Sequence, residues 1–491
     1  MQIKSNYDLV VIGGGPAGTP VAIEYAKLNH DKKIALIDVL GELGGECLFQ
    51  GCIPSKILQA SAKYIKELDK LKSFGIEIED THYKLIWDKI KQRKDAILHK
   101  RTTSAKDLAQ SIGNIDLIKG HASFIDEKTI EIEQNSETIT IEFQKALIAT
   151  GSKAFKPQFG GDAKDEVITN EDFFHDMELP NDLSIIGGGA IAIEFAMILS
   201  ALGVKINLFV RGDKILKNID EEASMYILEV LKSDKNVNIY FNSSIQEINH
   251  KNDMLEITFT QENQTKKILT SKLLSAAGRV PNIKSLNLQN ANVEYSKKGI
   301  KTTPALQTTN KNIFANGDVV ENFPKFAHTA QYTAHLLAQN LFLEHNFFKP
   351  DLEKNSWVLF SMPNVAMAGL GQKEAKEKGY EIIVDKFDFS TEAKSQIQEE
   401  DFGYLKFIVD KKSYQILGIS IMHQEASHIA GEAALIVAKK LTLKDLIDSI
   451  HPHPTISESF VMLAKKMMGD IMLKKLDKPI VKALLKFERL I

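Results

Sequence analysis

The only cysteines in the 491-residue chain, Cys47 and Cys52, stand close together inside Gly44-Gly45-Glu46-Cys47-Leu48-Phe49-Gln50-Gly51-Cys52-Ile53-Pro54-Ser55-Lys56. Two thiols cannot complete a structural zinc site, nor staple so long a chain. A pair this close can instead close a small-loop disulfide, and Pro54 suits the first turn of a following helix. The start of that helix favours a thiolate over a thiol. A redox-active bond therefore explains the pair better than buried inert thiols, which leave the glycines on both flanks without a purpose.

Two glycine clusters supply a second chemistry. Gly13, Gly15 and Gly18 fit G-x-G-x-x-G, with Pro16 and Ala17 between, after an apolar strand over Tyr7–Ile12 and before a helix over Pro20–Leu28. Missing side chains there permit a tight turn, backbone approach to a pyrophosphate and close helix packing. Asp38 ends the next strand, Lys33–Asp38, where a carboxylate can accept hydrogen bonds from both ribose hydroxyls. A second copy follows about 170 residues on, as self-similar nucleotide-binding units do. Strand Asp182–Ile186, Gly187, Gly188, Gly189, Ala190, Ile191 and Ala192, helix Ile193–Leu202 and strand Lys205–Val210 make it up, with Ala192 in the third glycine position. No acid closes its second strand. Arg211, Lys214 and Lys217 follow instead, and Arg211 with Lys217 would hold a ribose 2′-phosphate, favouring NADP(H) over NAD(H).

Between the two glycine clusters, helical spacing covers Lys56–Leu71 and Trp87–Ser111, followed by strand patterns up to Ala146–Ala149 and the closing Thr150-Gly151-Ser152. The polar run Thr260–Lys267 is expected to be a hairpin loop inside the second nucleotide unit, Gly278–Asn282 the exit from that unit, and Asn312–Val320 an apolar strand returning to the first. From about Asp351 onward strands and helices alternate without another glycine fingerprint, as in a packing domain. Lys+Arg 61 against Asp+Glu 64 gives a formal charge of -3, so no nucleic-acid partner is expected. No signal-peptide pattern precedes the strand Leu9–Ile12, and the cytoplasm is the expected address. Ile185–Gly203 is apolar enough to mimic a membrane span, but its glycines and Glu194 favour a strand, a turn and a packed helix.

Taken together, these motifs resemble the FAD-dependent pyridine nucleotide–disulfide oxidoreductases, and most closely their dihydrolipoyl dehydrogenase branch. Gly44–Lys56 is very similar to that family's redox-active disulfide motif. The similarity also takes in Gly13–Gly18, Thr150–Ser152, Gly187–Ala192, Gly278–Asn282, Gly317–Asp318 and His453–Glu458. It implies an α/β fold with two Rossmann-like dinucleotide-binding domains and an α+β C-terminal dimerisation domain. The implied boundaries are 1–155 for FAD, 156–278 for NAD(P), 279–350 for a return to the first domain and 351–464 for dimerisation. It implies FAD with NADP or NAD as cofactors, and a homodimer. Asp38 is implied on the adenosine ribose and Asp318 beside the ribityl chain. Gly45, Ala122, Thr150, Gly151, Gly278, Arg279 and Gly317 are further implied cofactor contacts. Cys52 is implied as the thiolate facing the flavin, Cys47 as the thiol exchanging with substrate, and Lys56 with Glu194 as an ion pair beside the flavin.

Thiol–disulfide exchange also needs a base, and histidine suits it near neutral pH. His451-Pro452-His453-Pro454-Thr455-Ile456-Ser457-Glu458 matches the family motif in which His453 is the base, Glu458 orients it, and the pair serves the other subunit. His451 reads as a turn residue. Within the family, mercuric reductases carry an additional cysteine pair near the carboxyl end, and soluble transhydrogenases lack the full redox pair. Glutathione reductases usually have a tyrosine where Ala190 stands. Dihydrolipoyl dehydrogenases normally have an acid near Val210, so Arg211 points the other way. An NADPH-driven reductase of another small disulfide is the alternative, and a tail-recruited component of a membrane or complex is a third reading. From Lys465 to Ile491 eight Lys/Arg face three Asp/Glu. Leu476, Ile480, Ala483, Leu484, Phe487 and Ile491 fall on one helical face and Lys475, Lys478, Lys482, Lys486 and Arg489 on the other, an amphipathic helix over 465–491 suited to an anionic surface, a partner or its own subunit.

Overall fold

A computed structural model describes residues 5–68, 70–77, 83–135 and 137–476. The chain divides into two compact units, Met1–Leu216 with Leu231–Pro350 and Lys217–Val230 with Asp351–Ile491.

The first unit opens with β1 (Asn6–Ile12), α1 (Thr19–Leu28) and β2 (Ile34–Asp38). β1 and β2 pair in parallel, with Val10 opposite Ala35. Leu9–Ile12 of β1 and Ile34–Ile37 of β2 are buried apolar runs, as strands of a sheet covered on both faces are. The chain continues through α2 (Gly45–Phe49), α3 (Cys52–Leu68) and α4 (Trp87–Ile112) to β3 (Ile115–Lys119), β4 (His121–Phe124), β5 (Thr129–Gln134) and β6 (Glu137–Ile148). The sheet runs β3-β2-β1-β6-β5-β4, and strand Ile313–Ala315 also pairs in parallel with β6. The late return to the first sheet therefore occurs where the sequence places it. It is shorter than the Asn312–Val320 expected, because Asn316 turns inward and Gly317 adopts φ +79.

A short ribbon leads out and back: β7 (Ser152–Ala154) pairs antiparallel with strand Arg279–Pro281. Beyond α5 (Asn170–Asp176), a second parallel sheet contains β8 (Asp182–Ile186), β9 (Lys205–Val210) and β10 (Val237–Phe241), with α6 (Ala190–Ala201) between β8 and β9. Both β8 and β9 match their sequence-based ranges. The hairpin expected at Thr260–Lys267 is present, with a loop much shorter than the polar run. Strands Met254–Gln261 and Gln264–Thr270 form a hairpin, and only Glu262 and Asn263 turn, with φ +52 and +63. Two successive positive φ values suit the right-handed twist of a hairpin, and polar side chains line its exposed face.

In the second unit, five antiparallel strands cross in the order Ser356–Leu359, Asn364–Gly369, Ile416–His423, Tyr404–Asp410, Ile382–Asp388. Helices Ala426–Ala438 and Glu458–Leu476 share a core with this sheet, around Phe389, Phe407, Ile421 and Phe460. Segment 217–230 groups with this unit through buried charges. Lys406 Nζ meets Asp220 Oδ2 at 2.8 Å, and Tyr404 donates to Asp220 at 2.8 Å.

The C-terminal extension does not begin as a separate helix. Glu458–Leu476 runs unbroken through the 464/465 boundary, Met468 and Ile471 pack against the unit's own core, and Lys475 Nζ lies 5.1 Å from the Tyr414 ring centroid. Ile480, Ala483, Leu484, Phe487, Ile491, Lys478, Lys482, Lys486 and Arg489 lie outside the described residues. Among the described residues no helix is long and apolar enough to cross a membrane.

Phe460 is fully buried and packs on Phe407 with centroids 6.1 Å apart. Phe460→Ala is expected to cost about 3–5 kcal/mol and lower the thermal unfolding midpoint; an unchanged midpoint would contradict this packing.

Candidate active site

Gly44 and Gly45 have φ +131 and +56, and they swing the chain out of β2 into α2. A Cβ on Gly45 would lie 2.7 Å from the Gly15 Cα, so the redox loop and the first glycine turn meet backbone to backbone. α2 carries Cys47 and stops at Gln50; Cys52 then begins α3, a 17-residue helix. One turn later on the same face comes Lys56, whose Nζ lies 2.6 Å from Glu194 Oε2 of α6.

Both cysteines are free thiols, so the expected disulfide is not formed in this structure. Their side chains are hydrogen-bonded to each other. That bond is the main cause bringing the Cys52 thiol down to about 7, with help from the Lys56 charge, against burial and the carboxylates of Glu194 and Glu46. The same bond, followed by burial, pushes the Cys47 thiol well up. Of the two, Cys47 is thus the proton donor and Cys52 the thiol that ionises first, at a helix start that favours negative charge. Cys52 is exposed and Cys47 half-buried in the polypeptide, so accessibility alone does not mark Cys47 as the outward thiol.

The first glycine turn packs as its motif demands. A Cβ on Gly18 would stand 2.1 Å from the Gly13 carbonyl oxygen. α1 has no side-chain cap and no acid in its first turn, leaving backbone N–H groups for an anion. Pro16 and Ala17 complete this turn, and Asp38 closes its far side, accepting from Gly14 N at 2.9 Å and Leu40 N at 2.9 Å. Each carboxylate oxygen keeps a second lone pair for a ribose hydroxyl. Ala122 is buried in β4, two residues beyond Gly120, whose N–H bonds the Asp38 carbonyl. The second cradle repeats the design. Gly187 has φ +134, nothing lies within 4 Å of a Cβ on Gly189, and α6, which opens Ala190-Ile191, likewise lacks a side-chain cap. These cradles fit a dinucleotide's pyrophosphate.

Thr150, Gly151, Gly278, Arg279, Gly317 and Asp318 gather around the ribbon. Thr150 Oγ1 donates to the Asn282 carbonyl at 2.7 Å, and Asn282 N to the Gly151 carbonyl at 3.0 Å. Gly278 takes φ +120 just before the returning strand. Ser152 Oγ donates to Asp318 at 2.7 Å and accepts from Arg279 Nε at 2.8 Å, while Arg279 Nη2 pairs with Glu46. Sequence reasoning passed over three residues here. Glu46 and Asn170 hold the redox loop, and fully buried Asn316 ties the Ala17 carbonyl at α1 to the Ala330 carbonyl. Only the Asn-Gly-Asp run could have flagged Asn316; nothing local singles out the others.

Arg211 directly follows β9 and is exposed, whereas Lys217 belongs to the second unit. That unit also carries His453, 71 % exposed, whose Nδ1 lies 3.0 Å from both Glu458 oxygens. Burial pushes Glu458 up, but the Thr455 N–H and His453 outweigh it and hold the carboxyl below its usual range. An Nδ1–H donated to Glu458 leaves Nε2 as an acceptor facing out. His451 is more than a turn residue, since its Nε2 meets Glu432 Oε1 at 2.7 Å.

Residues 7–334 match the pyridine nucleotide-disulphide oxidoreductase model, and residues 355–464 match that family's dimerisation domain. The chain belongs to the pyridine nucleotide-disulphide oxidoreductase family. It is 33 % identical over 484 residues to a dihydrolipoyl dehydrogenase of Buchnera aphidicola, covering 97 % of this chain and 100 % of that one. It is 32 % identical over 470 residues to a mercuric reductase of Staphylococcus aureus, covering 95 % and 83 %. Among solved structures it resembles the HOCl-induced flavoprotein disulfide reductase RclA of Escherichia coli, with TM-score 0.80 and 25 % identity over 94 % of this chain and 99 % of that one. Enzymes of the family are flavoprotein oxidoreductases that use FAD and NAD(P)H.

With the Cys52 thiol near 7, thiolate absorbance of the reduced protein should be lost as pH falls through neutrality. Lys56→Met removes a charge that favours the thiolate and is expected to raise that midpoint by about one unit. An unmoved midpoint contradicts the assignment.

Proposed function

We propose that this protein is a homodimeric, cytoplasmic flavoenzyme that oxidises a dihydrolipoyl-type dithiol at Cys47–Cys52 and delivers the electrons to a nicotinamide nucleotide. The observation that carries this reading is geometric: Cys47 and Cys52 lie on a loop packed against the first glycine turn, with the Lys56–Glu194 ion pair one helical turn beyond Cys52, and their mutual hydrogen bond favours the thiolate at Cys52 over Cys47.

Gly13–Gly18, Asp38, Ala122, Gly317 and Asp318 would hold FAD, and Gly187, Gly189, Ala190 and Ile191 the nucleotide's pyrophosphate. When bound, FAD supplies two-electron transfer between the dithiol and the nicotinamide. In the oxidised enzyme a substrate thiolate attacks Cys47 Sγ. A mixed disulfide forms, the Cys47–Cys52 bond breaks, and Cys52 leaves as the thiolate that Lys56 and the start of α3 stabilise. The substrate's second thiol gives its proton to His453 Nε2 of the partner subunit and attacks its own mixed-disulfide sulfur, which releases Cys47 and closes the substrate disulfide. Glu458 fixes the histidine tautomer, as the acid does in a triad. The dimerisation domain supports the partner's role, as does Ile450, 98 % exposed three residues before His453.

Arg211 in place of a terminal acid favours NADP, and the same cation favours a second reading, NADPH-driven reduction of another small disulfide. Anaerobic assay of dihydrolipoamide with NAD⁺ and NADP⁺ in parallel separates them. Turnover is expected, and it should disappear in Cys47→Ser while the nucleotide still reduces the flavin. No turnover, with NADPH still bleaching the flavin, would overturn the dihydrolipoyl assignment. Arg211→Glu is expected to raise KM for NADP⁺ roughly tenfold, the equivalent of about 1.4 kcal/mol, without a matching change for NAD⁺; equal effects on both would contradict a 2′-phosphate contact.

A further inference from the structure

Glu46 stands directly before Cys47, yet its side chain reaches away from the loop to two other elements. One oxygen pairs with Arg279 Nη2, and the other accepts from Asn170 Nδ2 at 3.1 Å. That same Asn170 nitrogen donates to the Gln50 carbonyl at 2.8 Å, and Gln50 N bonds the Glu46 carbonyl at 2.8 Å. Asn170 is buried, so the segment between the cysteines is gripped at both ends from α5. Arg279 is in turn fixed by the Ser152 carbonyl at 2.6 Å and by Ser152 Oγ, which donates to Asp318. A continuous polar chain therefore runs from the residue beside Cys47 to the ribbon and Asp318.

We propose that Glu46, balanced by Arg279, is a positioning residue that fixes the loop between Cys47 and Cys52 and sets the fraction of thiolate in that pair. The inference rests on the reading of the two cysteines as the redox pair. The charged groups acting on them are Glu46 from α2, Lys56 from α3, Arg101 from α4 and Glu194 from α6. Of these, Glu46 bears on both thiols and disfavours ionisation of each. Glu46 itself is pushed up by burial, against Arg279 and Asn170, with Glu171 of α5 adding to the rise. Arg279 is thus the counter-charge that keeps the Glu46 field on the thiols partly cancelled.

The test is the pH dependence of iodoacetamide alkylation in the reduced, flavin-loaded full chain, which reads the thiols whether or not any substrate turns over. Glu46→Gln keeps the shape and one of the two acceptors but loses the charge, so its midpoint should fall by about one unit, roughly a tenfold faster reaction below the midpoint. Arg279→Gln leaves Glu46 uncompensated and should move the midpoint up, while Arg279→Lys, which keeps the charge, should restore most of it. Opposite shifts distinguish this from loosening, which moves both variants the same way. An unmoved midpoint in Glu46→Gln, or shifts of one sign in Glu46→Gln and Arg279→Gln, would overturn the proposal. Should Arg279→Gln not fold, the Glu46→Gln and Arg279→Lys midpoints decide it alone.

Discussion

The pairing of two thiols at the start of α3, one of which must ionise before the other, is the constraint around which the first unit is arranged. A charge on sulfur needs a donor, a nearby cation and a favourable backbone dipole. Cys47 supplies the first, Lys56 the second and the 17-residue helix the third. Lys56 is itself partly buried, and Glu194 is the counter-charge that pairs with it there, Nζ to Oε2 at 2.6 Å. Glu194 lies on α6, the helix that opens from the second glycine turn, so one ion pair joins the redox helix to the nucleotide-cradling helix. Chemistry and architecture share the same contact.

The glycine turns place the rest. Close packing of Gly15 against Gly45 brings the redox loop onto the first dinucleotide cradle, and Gly317 brings Asp318 to the same place, its own Cβ position lying 2.8 Å from Ala17 Cβ. The ribbon of β7 with Arg279–Pro281 is where the chain leaves the first sheet's domain and returns. Its polar residues face the redox loop through Arg279 and Glu46. Binding surfaces built of backbone atoms demand that side chains be absent, and rigid neighbours demand that the turns hold their shape; both demands fall on the same few residues. In the second unit the logic is simpler. A five-stranded sheet and two helices bury an aromatic and aliphatic core, and the His453–Glu458 pair sits on its exposed margin.

Much of this was legible in the sequence where the signal is local. β8 and β9 are short, mainly apolar strands bounded by a glycine cluster or a charge, and their ends coincide with the structure's. The helix after the second glycine cluster starts at Ala190 rather than Ile193 because the turn's own small residues already wind into it. Polarity marked the hairpin at Thr260–Lys267 but overstated its loop, since the exposed strands carry Gln, Thr and Lys as a turn does, and only their pairing confines the turn to Glu262 and Asn263. Least legible was the Glu46, Asn170 and Arg279 cluster. Glu46 and Arg279 are 233 residues apart, and no period or motif joins them. Such contacts belong to the tertiary fold and emerge only when the ribbon folds back over the loop.

The central claim is that the two cysteines form a redox centre separate from the flavin but in line with it. Anaerobic titration of the purified flavoprotein with dithionite tests this most directly, by counting reducing equivalents. The account predicts that the wild-type chain takes up one more electron pair than the flavin alone requires, and that Cys47→Ser takes up only the flavin's share. Equal uptake by the two proteins would contradict it.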